Sequence, residues 1–125
     1  MKVAELMQTS LKTISADSTL ADAITDLAEA QVSALPVVDR FGRAVGVLST
    51  REVLKAERAD VDRDTKVLEL MAPWPVTIEP DLDVRQAAQE MLYLNVQRLF
   101  VEFEGALVGV ISQTDVVGAV ATSRV

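Results

Sequence analysis

The sequence predicts an α/β protein, of the α+β type, made of two tandem β-α-β-β-α repeats packed with pseudo-twofold symmetry. Three observations predict it. The chain nearly repeats itself: KVAELM at Lys2–Met7 returns as KVLELM at Lys66–Met71, 64 residues later. That register holds through Asp17 and Asp81, Ala23 and Ala87, Val32 and Val96, and Val37 and Val101. After one deletion in the second copy the offset becomes 63 and continues through Gly46 and Gly109, Ser49 and Ser112, and Ala56 and Ala119. The hydrophobic period also switches in the same order in both copies. Finally, half of the 125 residues are hydrophobic and few are aromatic, with Val, Leu, Ala and Ile dominant, as in a folded α/β chain. A duplication of this length fixes the architecture before any single residue is interpreted.

The copies divide the chain into repeat 1 at 1–58, a charged linker at 59–65 and repeat 2 at 66–125. A repeat of about 60 residues alone would bury only roughly 60% of its unfolded surface, so the halves are expected to share a core. Each copy opens with a helical turn at Val3–Met7 or Val67–Met71, followed by a brief strand at Thr13-Ile14 or Thr77-Ile78. Leu20, Ala23, Ile24, Leu27 and Ala28 then recur at helical spacing, as do Val84, Ala87, Ala88, Met91 and Leu92. Asp17-Ser18 and Asp81 to Asp83 stand before these helices as candidate N-caps.

Two β-like runs follow per copy, Leu35–Asp39 with Ala44–Leu48 and Leu99–Phe103 with Leu107–Ile111. The short Gly-containing gaps between them read as hairpins. A second helix starts near Thr50 and near Gln113. Glu57–Thr65, dense in Asp, Glu and Arg, reads as a solvated linker. In the last helix Val116, Val117, Ala119, Val120 and Ala121 leave almost no polar face, which calls for burial on all sides. The expected cover is a second subunit.

The net charge of −7 gives no electrostatic basis for nucleic acid or an anionic membrane. With no Cys and no His, disulfides, thiolate metal sites and the commonest general base are absent. No basic segment followed by an apolar run opens the chain, and no apolar run approaches the roughly 18 residues of a membrane span. A cytoplasmic protein without membrane or nucleic-acid partners is expected.

The ELM-x5-TI-x2-D openings at Glu5 and Glu69, the VSALPVVD segment at Val32–Asp39, and the junctions GVLSTREV at Gly46 and GVISQTDV at Gly109 resemble the cystathionine-β-synthase (CBS) domain family. Two such repeats form a Bateman module, and the resemblance covers essentially the whole chain. It implies a non-catalytic regulatory module that requires no cofactor. It also implies an adenosine ligand such as AMP, ADP, ATP, S-adenosylmethionine or NAD between the repeats, and a homodimer through the repeat helices. The regulated protein is not named by the sequence.

Ser112-x-x-Asp115 sits where a strand ends and a helix begins. Free N–H groups and the positive dipole end suit a phosphate, the Ser hydroxyl can donate to it, and a carboxylate can accept from both ribose hydroxyls. The same spacing is a helix capping box, so both readings stand. The resemblance implies a preferred cleft of Ser10, Leu11, Lys12, Val32, Ser33, Ala34 and Pro36 with Ser112 and Asp115, in which small residues let the backbone approach adenine. VSALPV also reads simply as a core strand.

A weaker cleft is implied for Trp74, Val76, Gln97 and Arg98 with Ser49 and Glu52. There Glu52 replaces the family's Asp and Phe100 replaces the strand Pro. Arg98 either contacts phosphate or pairs on the surface with Glu90 or Glu102. Trp74 either stacks on a base or packs locally. No GxxxxGK[ST] loop occurs, which points away from phosphoryl transfer. Scattered carboxylates could support a Mg2+ on nucleotide phosphates, but no spacing marks a metal site. A ligand-independent homodimeric interaction module is the alternative.

Overall fold

The computed structural model describes residues 1–74 and 76–124. In chain order the elements are α1 (Val3–Leu6), β1 (Ile14–Ser15), α2 (Leu20–Ala30), β2 (Ala34–Val38), β3 (Ala44–Ser49), α3 (Thr50–Arg58), α4 (Val67–Leu70), β4 (Ala72–Pro73), β5 (Thr77–Ile78), α5 (Val84–Leu94), β6 (Arg98–Phe103), β7 (Ala106–Ser112) and α6 (Gln113–Ala121). Each copy thus contains the expected β-α-β-β-α order, and both hairpins and both second helices occur.

The compact units do not follow the two sequence copies. One unit, here the Ser49 unit, comprises Lys12–Trp74; the other, the Ser112 unit, combines Met1–Leu11 with residues 76–124. The lead-in of each copy therefore folds into the unit that carries the rest of the other copy. In the Ser49 unit the sheet order is β1-β2-β3-β4, with β1 parallel to β2 and antiparallel pairing thereafter. In the Ser112 unit the order is β5-β6-β7, and Gln8 bridges antiparallel to Val110, where Ala72 pairs with Val47 in the other unit.

The lead-ins dock through the same backbone bonds. Val67 N–H donates to Ser18 O at 2.7 Å and Leu68 N–H to Ala16 O at 3.1 Å; Val3 N–H donates to Leu82 O at 2.8 Å and Ala4 N–H to Pro80 O at 2.9 Å. Their apolar anchors are fully buried. Val67 joins Ile14, Ala23, Leu27, Leu35, Val37 and Leu48, whereas Val3 joins Val84, Ala87, Met91, Leu99, Val101 and Ile111. Each unit has its own buried cluster, and each cluster is completed by a residue of the opposite copy, so the two copies are built into each other's core.

Two glycines admit the lead-ins. A Cβ on Gly46 would lie 2.5 Å from Met71 Sδ and 2.6 Å from the Ala72 carbonyl, and one on Gly109 would lie 2.6 Å from Met7 Sδ. These contacts are too short for any side chain.

Two expectations change. The N-cap of α2 is Thr19, not Asp17 or Ser18; its Oγ1 accepts from Asp22 N–H at 3.2 Å, and Asp22 Oδ2 accepts from Thr19 N–H at 3.0 Å. Asp17 and Ser18 instead form the preceding turn, with Asp17 N–H donating to Ser15 Oγ and Ser18 N–H to Ser15 O. Before α5, Asp83 is the cap as expected, accepting from Arg85 N–H at 2.8 Å. Glu57 and Arg58 belong to α3, and the charged stretch after it is tied back by Val61 N–H to Ala56 O and by an Arg63–Glu57 ion pair at 2.7 Å. Within this single chain only Ala119 of α6 is buried, so the chain does not itself cover that helix on all sides.

Gly46→Ala and Gly109→Ala should each destabilise by about 1–3 kcal/mol through overpacking, measured by urea unfolding. Gly46→Ala should be the worse, since it meets a backbone carbonyl. Gly118→Ala, in α6 with nothing within 4 Å of an added Cβ, should stabilise by roughly 0.5–1 kcal/mol.

The Thr19 backbone and hydroxyl hydrogen bonds, helped by Lys66, hold the Asp22 carboxyl below its ordinary value of 3.8. Its contribution is therefore present above that value and lost as pH falls through the lower folded value. The stability difference between the wild type and Asp22→Ala, followed by acid titration, should shrink in that window.

Candidate functional site

The strand-to-helix junctions have parallel construction and different chemistry. In the Ser112 unit, Arg98 pairs in register with Ser112 across β6 and β7, and Gln113 N–H donates to Gln97 O at 2.9 Å. In the Ser49 unit, Ala34 pairs with Ser49 and Thr50 N–H donates to Ser33 O at 2.9 Å. Each hairpin thereby brings the opening of its first long strand against its own Ser-x-x-acid motif.

At the Ser112 junction the capping box forms. Asp115 N–H donates to Ser112 Oγ at 3.1 Å, and Ser112 N–H donates to Asp115 Oδ2 at 2.9 Å. Two of the first three amides of α6, those of Gln113 and Asp115, are therefore already satisfied. The junction is less bare than the motif suggests. Ser112 Oγ is an acceptor in the box, so its proton remains available to a ligand. The other Asp115 oxygen, Oδ1, accepts from Gln8 Nε2 at 3.2 Å. Gln97, Arg98, Ser112, Gln113 and Thr114 line a polar hollow of about 350 Å³ beside the box. Arg98 makes no ion pair with Glu90, Glu102 or any other described residue.

At the Ser49 junction the longer side chain changes the bonding. Glu52 Oε1 accepts from Ser49 N–H at 3.0 Å and from Ser49 Oγ–H at 2.7 Å. The extra methylene lets the carboxylate fold back onto the hydroxyl, which consumes the proton that Ser112 keeps. Glu52 also lines, with Lys55, Ala56, Val61, Glu69, Leu70, Met71 and Ala72, a cleft of about 370 Å³ within its unit.

Of the other residues implied by the resemblance, Ser10 and Leu11 belong to the Ser112 unit, as do Val76, Gln97 and Arg98; Lys12, Val32, Ser33, Ala34, Pro36 and Trp74 belong to the Ser49 unit. Ser10, Lys12, Val32, Ser33, Val76 and Gln97 are exposed, Leu11, Ala34 and Trp74 are half-buried, and Pro36 is buried within β2. Lys12 lies 4.0 Å from Asp26 as a surface ion pair. The residue that sequence reading missed is Gln8. It is 107 positions from Asp115, and its place directly after the ELM opening is the only trace it leaves in the sequence. Among the described residues no group of three or more His, Cys, Asp or Glu side chains is arranged to hold a metal. No helix among them is long and apolar enough to cross a membrane.

Two α/β units, each with a capped Ser-x-x-acid junction, define a tandem-repeat module. The chain belongs to the CBS domain family, whose model matches residues 3–59 and 63–122. It is 34% identical over 125 residues to a CBS domain-containing protein of Dictyostelium discoideum, covering 90% of this chain and 86% of that protein. It is also 31% identical over 116 residues to an inosine-5'-monophosphate dehydrogenase of Methanocaldococcus jannaschii, of which the chain spans only 23%. Among solved structures it resembles CBSX2 in complex with AMP, with a TM-score of 0.86 and 26% identity over 99% of this chain and 98% of the other. A CBS domain pair in complex with 5'-methylthioadenosine and S-adenosyl-L-methionine shares the fold, with a TM-score of 0.81 and 20% identity over 98% of both chains. CBSX2 is thus a relative of this fold that binds AMP.

Because Ser112 Oγ caps a helix amide and Ser49 Oγ does not, Ser112→Ala should destabilise by about 0.5–2 kcal/mol and Ser49→Ala by less. Chemical unfolding of the two variants side by side checks this ordering.

Proposed function

We propose that this chain is a non-catalytic, cytoplasmic regulatory module that senses an adenosine nucleotide, with Asp115 accepting from the ribose hydroxyls and Ser112 donating to phosphate. The carrying observation is the Ser112 junction itself: an oriented carboxylate and an uncommitted hydroxyl proton stand together at the start of α6. Membership of the CBS family and the likeness to an AMP-bound relative support the reading. Ser10, Leu11, Lys12, Val32, Ser33, Ala34 and Pro36 complete the preferred ligand contacts as the family implies. Ser49 and Glu52, with Trp74, Val76, Gln97 and Arg98, form the weaker set, since the Ser49 hydroxyl is already spent on Glu52. Ligand binding then shifts the population of arrangements that a regulated protein reads.

Calorimetry and thermal unfolding with AMP, ADP, ATP, S-adenosylmethionine and NAD test this. A ligand at about 100 times its Kd should add roughly 2.7 kcal/mol of stability, and silence from all five at millimolar concentration would refute the proposal. Asp115→Ala should weaken binding about ten- to a hundredfold by removing charged-acceptor hydrogen bonds. Glu52→Ala should weaken it less.

A second reading, a ligand-independent homodimer through the repeat helices, is favoured by a separate observation. Leu92 is 74% exposed, Val117 66% and Val120 57%, and Leu92 and Val117 line one apolar hollow between α5 and α6. Contiguous exposed apolar surface marks an interaction site. Light scattering should show a dimer in the absence of nucleotide. Val117→Asp should convert it to a monomer with an unchanged circular dichroism spectrum.

A further inference from the structure

We propose that Gln8 is a positioning residue: it orients the Asp115 carboxylate for ligand hydroxyls, a device built into the Ser112 unit and missing from the Ser49 unit. The proposal rests on reading the Ser112–Asp115 junction as the ribose end of an adenosine site. The backbone of Gln8 is clamped in both directions, its N–H donating to Val110 O at 2.8 Å and its carbonyl accepting from Val110 N–H at 3.0 Å. Gly109 permits that approach, since a Cβ there would lie 3.1 Å from Gln8 O. From this fixed origin the side-chain amide reaches Asp115 Oδ1 at 3.2 Å, while Oδ2 is held by Ser112 N–H at 2.9 Å.

The carboxylate torsion of Asp is broad when unrestrained. Held at both oxygens, it has a fixed plane, and its remaining lone pairs are aimed before a ligand arrives. Stability does not account for the contact, because Gln8 is exposed and a hydrogen bond in water adds little. The equivalent position in the Ser49 unit is Ala72, which has no amide to offer, and Glu52 turns back onto Ser49 instead. Gln8 with Asp115 and Ala72 with Glu52 are therefore linked alternatives.

The test is calorimetric titration of the whole chain with AMP and with 2',3'-dideoxyadenosine monophosphate, for the wild type, Gln8→Ala, Asp115→Ala and the double variant. Gln8→Ala should weaken AMP binding about three- to tenfold, leave the dideoxy analogue within about twofold, and have no further effect in the Asp115→Ala background. Thermal unfolding of the free Gln8→Ala protein should match the wild type. Unchanged or tighter AMP binding by Gln8→Ala, or equal losses for both nucleotides, overturns the role of Gln8 alone if Asp115→Ala still removes the hydroxyl preference. No AMP binding by the wild type, no preference for AMP over its dideoxy analogue, or an Asp115→Ala variant that binds like the wild type overturns the reading of the site and the role of Gln8 with it.

Discussion

Val3 and Val67 are the residues on which the rest of the structure depends. Each is fully buried, and each sits in a cluster whose other buried members come from the opposite sequence copy. Burying a valine side chain is worth about 1.5–3 kcal/mol, and here the burial also brings paired backbone and a sheet-edge partner. Gly46 and Gly109 set the distance of approach, because a Cβ there would meet Met71 Sδ and the Ala72 carbonyl in one unit and Met7 Sδ in the other. Neither copy alone contains a complete core. That is the physical content of the duplication: two copies are needed because each supplies the other's last apolar contact and outer sheet partner.

The same exchange reaches the candidate site. The lead-in that brings Val3 into the Ser112 unit also brings Gln8 to Asp115, whereas the lead-in that brings Val67 into the Ser49 unit brings only Ala72 to the corresponding place. One methylene then separates the junctions further. Within its box Asp115 bonds the Ser112 amide alone, while Glu52 bonds both the amide and the hydroxyl of Ser49. Similar backbones therefore hold an acid shared between Gln8 and the Ser112 amide in one unit and an acid turned back onto its own serine in the other.

The helices that follow have diverged in parallel. Arg51, Leu54, Lys55 and Arg58 line one hollow on α3, a basic stripe at helical spacing, whereas their equivalents on α6 are Thr114, Val117, Gly118 and Ala121. Buried positions of the two copies keep apolar character because packing tolerates little else, whereas exposed positions have been free to take separate chemistry. Charge is thereby concentrated on one unit's helix and apolar surface on the other's.

Helix and strand order was legible because the hydrophobic period is local, and the two copies corroborate each other at every switch from period 3.6 to period 2. The Ser-x-x-acid junctions were legible for the same reason, since a capping box spans four residues. The cap of α2 was misread because Asp17, Ser18 and Thr19 are all good caps, and only the turn bonded to Ser15 decides among them. Repetition and local spacing thus determined the elements and which residues carry polar chemistry, and the resemblance of the repeated motifs pointed to the family. Tertiary structure alone decided that the lead-ins cross to the opposite unit, that Gln8 meets Asp115 across 107 positions, and which serine keeps its proton, because these depend on backbone approach and side-chain reach in space.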